Sequence, residues 1–176
     1  MAKASPSQLQ QLLEHFVGER CRRVFAGGVG STFYLYFGED IPIRLGKYAL
    51  LPKEQCYLTA ENGIEANYSA WRLGQIREER VLATSYDDNS SQGPIPAAIG
   101  KLTNTTVTSV ELRRPWLDCS FIFDDIFQLD LFAVGGASCT DNYVIWRGSQ
   151  SMAVGPYSCV EIEQVVRGLT DEGQQV

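Results

Sequence analysis

The sequence predicts a β-rich α+β protein, with antiparallel sheets built from an internal duplication behind a short N-terminal helix. Three observations carry that expectation. Apolar residues alternate with polar ones through much of the chain and are often aromatic or β-branched, the pattern of half-buried strands. A single long stretch, 6–17, carries apolar residues at helical spacing. The hexapeptide Asn67-Tyr68-Ser69-Ala70-Trp71-Arg72 returns as Asn142-Tyr143-Val144-Ile145-Trp146-Arg147, with four of six residues identical and two of the chain's three tryptophans inside the copies.

Ser5 and Pro6 open the helix as cap and first-turn residue, Leu9, Leu12, Leu13, Phe16 and Val17 form its apolar stripe, and Gly18 ends it. A strand follows over 20–26, and Gly27-Gly28-Val29-Gly30 is a glycine turn. The next strand, 32–37, points Phe33, Leu35 and Phe37 inward and Tyr34 and Tyr36 outward. Gly38-Glu39-Asp40 is read as a turn into a third strand over 41–45. Further strands are expected at 56–59, 68–73 and 81–84. The Asp-, Asn-, Ser-, Gly- and Pro-rich stretch 85–96 is a linker. Beyond it come a short helix or turn at 97–102, then strands at 106–112, 117–123, 127–134, 143–147, 152–154 and 158–162, with Asp124-Asp125 as a turn. The polar segment after Arg167 is a tail.

An offset of 86 residues (123 − 37) places Phe37 on Phe123, Val24 on Val110, Phe33 on Cys119 and Leu35 on Phe121, apolar on both sides each time. The hexapeptides need an offset of 75 (142 − 67), so the first half carries extra residues between Leu45 and Asn67. One domain over 1–176 is expected, with halves 8–84 and 97–163 joined by 85–96.

The formal net charge of −6 and pI near 4.8 argue against nucleic-acid binding through a basic surface; they are compatible with a basic protein partner, but such acidity is also ordinary for a soluble bacterial-type protein. The N-terminus lacks the apolar run of a signal peptide and no apolar stretch has the length of a membrane span, so a cytoplasmic protein without membrane association is expected. Five cysteines, odd in number and without a Cys-x-x-Cys pair, suggest neither a disulfide framework nor zinc. His15 is the only histidine, so any triad, Cys-His dyad or multi-histidine metal site would have to include it. Gly27–Gly30 lacks the lysine and following helix of a phosphate loop. No catalytic residue, metal site or cofactor is assigned. Asp87-Asp88 forms an acidic, exposed patch in the linker where a basic partner would be steered, and its charge reversal is expected to leave stability nearly unchanged.

The repeated hexapeptide remains. On a strand, Trp71 faces the core while Tyr68 and Arg72 face outward. The motif then serves either as a structural brick or as a Tyr/Arg recognition surface, with Tyr68, Arg72, Tyr143 and Arg147 as its candidates. Paired helix-plus-hairpin units ending in aromatic-x-x-Trp-Arg, here Tyr68, Trp71, Arg72 and Tyr143, Trp146, Arg147 after the runs Leu35–Phe37 and Phe121–Phe123, resemble small bacterial domains of unknown function. Some of these are grouped with polymorphic-toxin immunity proteins. That resemblance implies a non-catalytic, protein-binding role. The alternative is a small-ligand-binding protein or enzyme using a cleft between the halves.

Overall fold

In the computed structural model, the structure describes residues 2–26, 30–42, 58–66, 69–134, 142–155 and 160–164. It is β-rich, with two antiparallel sheets and little helix. Helix α1 (Pro6–Glu14) starts as its residues dictate: Ser5 and Gln8 form a reciprocal capping box, with Pro6 in the first turn. Leu9, Leu12 and Leu13 are its buried stripe, and the chain leaves through Gly18 at φ +89°. Helix α2 (Pro94–Ile99) continues as a 3-10 turn to Leu102.

The strands are β1 (Ala2–Lys3), β2 (Cys21–Ala26), β3 (Phe33–Pro42), β4 (Leu58–Ala66), β5 (Ala70–Gln75), β6 (Arg80–Thr84), β7 (Val107–Arg113), β8 (Asp118–Phe123), β9 (Phe127–Phe132), β10 (Tyr143–Arg147), β11 (Gln150–Val154) and β12 (Val160–Gln164). The larger sheet runs β1-β12-β11-β10-β4-β3-β2 and the smaller β6-β5-β9-β8-β7. Each therefore combines three consecutive strands (β2-β3-β4 or β7-β8-β9) with a hairpin from elsewhere in the chain (β10-β11 or β5-β6), and the larger sheet is extended beyond β11 by β12 and β1. One buried cluster draws on both sheets and both helices. Phe16 meets Phe37 and Phe121 edge-on, and Phe33 meets Trp71.

Register recurs along the chain at the offset of 86. Cys21 faces Phe37, a bulge follows, and Val24 faces Leu35; likewise Val107 faces Phe123, a bulge follows, and Val110 faces Phe121. The two three-strand units touch through a bridge between Arg20 and Thr106, which are themselves 86 apart (106 − 20). Around it Gly18 N–H donates to Val107 O (2.8 Å) as Asn104 N–H does to Cys21 O (2.6 Å), and Cys21 N–H donates to Thr105 O (2.8 Å) as Val107 N–H does to Glu19 O (2.9 Å). Gly18 and Asn104 both have positive φ, as do Gly38 and Asp124.

Three expectations change. Gly38-Glu39-Asp40 is no hairpin turn: β3 runs through it to Pro42 with a bulge of its own opposite Glu61 of β4, and Gly38 at φ +73° supplies the local kink. Residues 60–66, not expected as strand, form most of β4, which is paired on both sides, with β3 and β10, and carries Gly63 against the Trp146 ring. The described parts of the hexapeptides, 69–72 and 142–147, lie in or directly before β5 and β10, but out of register with each other. Trp71 faces Leu131 on β9, whereas Trp146 faces Gly63 on β4, and Tyr143 faces Ala66. Leu131 and Ala66 take matching places opposite Cys119 and Phe33, so Tyr143, not Trp146, stands where Trp71 does. Trp71 enters the shared core, while Trp146 turns to the outer face, T-shaped to Tyr36. Residues 43–57, including Lys47, Pro52, Lys53, Glu54 and Cys56, lie outside the described residues, as do the turn 27–29 and the tail after Arg167.

Candidate functional site

Inward side chains of the smaller sheet fill the core: Trp71 and Leu73 from β5, Leu129 and Leu131 from β9, and Cys119, Phe121 and Phe123 from β8. The period of two sends Arg72, Gln128, Asp130 and Ser120 to the outer face. Cross-strand register then brings Arg72, Asp130, Ser120 and Glu111 into one transverse row.

Asp130 is the buried member, its side chain only 3% exposed. Arg72 donates to its Oδ2 through Nη2 at 2.7 Å and Nε at 3.3 Å, and Gln128 Nε2 donates to Oδ1 at 2.8 Å. Arg113 Nη1 stands 4.0 Å from Oδ1. Burial pushes the carboxyl group's pKa up, but donors from Gln128, Arg72 and Ser120 together with the Arg72 charge outweigh it, and the net shift is downward. A folded-state pKa below the unfolded one contributes stability above the ordinary Asp range near ~3.9, lost as pH falls through the folded value. Asp130→Asn is therefore expected to cost about 2 kcal/mol at neutral pH, because Arg72 loses its counter-charge but stays half exposed. In urea titrations the gap to the wild-type protein should narrow in acid; a gap independent of pH would assign the loss to packing.

Beside this pair a shallow pocket of about 240 Å³ runs along the β5-β6 hairpin, lined by Arg72, Gln75, Ile76, Arg80, Val81 and Gln128 among others. Its rim is apolar where polar residues would be expected: Ile76 is 39% exposed, Val81 51% and the neighbouring Ile126 37%. The two hairpin tips that carry these residues are tied by Ile76 N–H donating to Ile126 O at 2.8 Å. They also carry Glu78, Glu79, Asp124 and Asp125, all exposed. Glu79, Asp124 and Asp125 have φ of 48°, 50° and 55°, a left-handed backbone normally left to Gly or Asn. Asp124 Oδ1 accepts from Thr106 N–H and Asp125 Oδ1 from Thr108 Oγ1, which fixes the second tip against β7.

The residues singled out by sequence do not form one site. Tyr68 lies outside the described residues. Arg72 is in the row just described. Tyr143 is fully buried, its hydroxyl donating to Leu117 O and its pKa raised by burial, so it offers no surface. Arg147 is exposed at the end of β10 in the other sheet. Asp87 is linked to Arg72 through Thr84: its carboxylate accepts from Thr84 N–H (2.7 Å) and Thr84 Oγ1 (3.0 Å), and Thr84 is the cross-strand partner of Arg72. Asp88 turns back on Ser90, accepting from its N–H and hydroxyl, and those bonds lower its pKa. Both carboxylates hold the loop whose Asn89 is anchored on Gly30 O and Thr32 O, so charge reversal there would also remove these turn-fixing hydrogen bonds.

Ile76, Val81, Ile126, Glu78 and Glu79 escaped the sequence reading, and Asp124-Asp125 was read as turn chemistry. The available signal was an exposed-type isoleucine beside a carboxylate pair in each of two turns. Among the described residues no three His, Cys, Asp or Glu side chains gather to hold a metal, and no helix is long and apolar enough to cross a membrane. Burial holds the Cys21 thiol at about 12 and also raises Cys119, so neither is a ready nucleophile. No protein family, curated protein or solved structure matches this chain.

Proposed function

We propose that the protein is a non-catalytic protein-binding module that takes a basic partner on the end of its smaller sheet. The observation that carries this reading is the joined pair of hairpin tips, where Ile76, Val81 and Ile126 are exposed together within a rim of Glu78, Glu79, Asp124 and Asp125. An apolar centre inside a polar rim is the anatomy of an interface, and the Arg72–Asp130 pair adds a guanidinium of the kind that interface hot spots favour. Asp87 extends the acid along the hairpin; with it five carboxylates stand against Arg77 and Arg80, matching the net charge of −6. The resemblance to toxin-immunity domains supplies the partner class, a basic protein. We further read the chain as an internal duplication in which the two copies exchange hairpins between sheets; the recurrent register, paired bulges and reciprocal contacts at Arg20 and Thr106 support it.

The test is capture from the native cell with the wild-type protein and with Ile76→Asp/Ile126→Asp, substituted at two exposed positions and compared at matched melting temperature. The expected outcome is a basic protein held by wild type, with association slowed as salt rises, and released by the double variant. Equal retention by both proteins at matched melting temperature would remove this face from recognition.

A further inference from the structure

A second site lies on the other sheet, and it stands independently of the acidic face. Positions 8, 11, 12 and 15 fall on one stripe of α1 and its exit turn, and that stripe faces the end of the β10-β11 hairpin. There Gln8, Gln11, His15, Arg147 and Gln150 surround a cavity of about 210 Å³, with buried Leu12 also among its walls. The lining is one guanidinium, one imidazole and three carboxamides, with no carboxylate. Glu14, the one carboxylate of α1, instead accepts from Gln10 Nε2 at 3.0 Å. Gln8 Oε1 already accepts from Ser5 N–H at 2.8 Å, which leaves its Nε2 as the group free to donate.

Arg147 is the one arginine of the lining. Among the described arginines Arg22, Arg23, Arg72 and Arg113 each hold a carboxylate, whereas Arg20, Arg77, Arg80, Arg114 and Arg147 do not; of these five, Arg147 is the one that faces this pocket. Arg147 has no such partner among the described residues. A cation in a concave, donor-lined pocket without its own counter-ion matches an external oxyanion, because a guanidinium presents parallel N–H donors to two oxygens at once. We propose that this pocket binds an oxyanion group, a carboxylate or a phosphate, with Arg147 as its charged ligand and the carboxamides of Gln8, Gln11 and Gln150 completing the donor set.

The test is nitrogen-15 NMR of the full chain, following the Arg147 Nε–Hε group and the glutamine side-chain amides. Sodium phosphate and, separately, sodium acetate are titrated through the millimolar range at ionic strength held constant with sodium chloride. The expected result is a saturable shift confined to Arg147 and these glutamines. Arg147→Gln should weaken binding by about tenfold or more, and Arg147→Lys should fall between, since it keeps the charge and loses the fork. Saturation by phosphate alone or by acetate alone supports the pocket and identifies the source of its ligand. Shifts that rise linearly without saturating, that spread equally to Arg77 and Arg80, or that persist in Arg147→Gln would overturn it. If Arg147→Gln lowers the melting temperature, the same comparison is made with Arg147→Lys.

Discussion

Trp71→Ala is expected to lower unfolding free energy by about 3–5 kcal/mol in urea titration, the range for removing a fully buried large aromatic side chain. Trp71 is 1% exposed and belongs to β5 of the smaller sheet, yet its ring meets Phe33 of the larger sheet edge-on at 5.0 Å. Its Nε1–H donates to Ser31 O at 2.9 Å. Truncation therefore opens a cavity between the sheets and takes the donor from a loop carbonyl. Trp71→Phe should recover part of the loss, because it restores ring contact with Phe33 but not the bond to Ser31. A loss below about 1 kcal/mol for the alanine variant would show that the ring is not part of the inter-sheet core.

Gly63→Ala is expected to cost about 3 kcal/mol, large for the addition of one methyl group. A Cβ at Gly63 would stand 2.0 Å from Trp146 Cζ2 and 2.4 Å from Cη2. The indole cannot easily retreat: it is 1% exposed, and its Nε1–H donates to Ala60 O at 3.0 Å. Trp146→Leu should be destabilising alone but should reduce the cost of Gly63→Ala by about 1 kcal/mol or more, a coupling that a double-mutant cycle measures. Additive losses would mean that the added methyl group is opposed by the surrounding backbone rather than by the ring.

These two tryptophans show why a shared string is not a shared position. The copies Asn67–Arg72 and Asn142–Arg147 align at 75, yet the register on β9 and β4 equates Trp71 with Tyr143 at 72 (143 − 71). A shift by an odd number of residues exchanges the two faces of a strand. Trp71 is consequently inside the sandwich and Trp146 outside it, although both are buried. By contrast the pairs at 86 hold position for position: Phe37 with Phe123 and Val24 with Val110 keep both register and bulge. Those strands are joined to their partners by short connections, so local geometry limits the register.

The candidate site divides in the same way. That Arg72 points outward follows from parity with Trp71, but its counter-ion Asp130 lies 58 residues away. The isoleucines of the proposed interface sit in turns that pairing of β5 with β9 alone brings together.

The sequence by itself determined the start of α1, the inward set Phe33, Leu35 and Phe37 on β3, the parity of Trp71 and Arg72 on β5, and the acidic balance of the chain. Capping and the two-residue period of a strand act within a few residues, and charge is a property of composition. Only the tertiary structure decided that the β5-β6 hairpin joins the sheet of β7-β8-β9 and the β10-β11 hairpin that of β2-β3-β4, that Gly63 lies under Trp146, and that Arg147 and His15 line one pocket beside α1. Those outcomes depend on closing long loops and on which distant surfaces pack most completely, and no local pattern encodes that comparison.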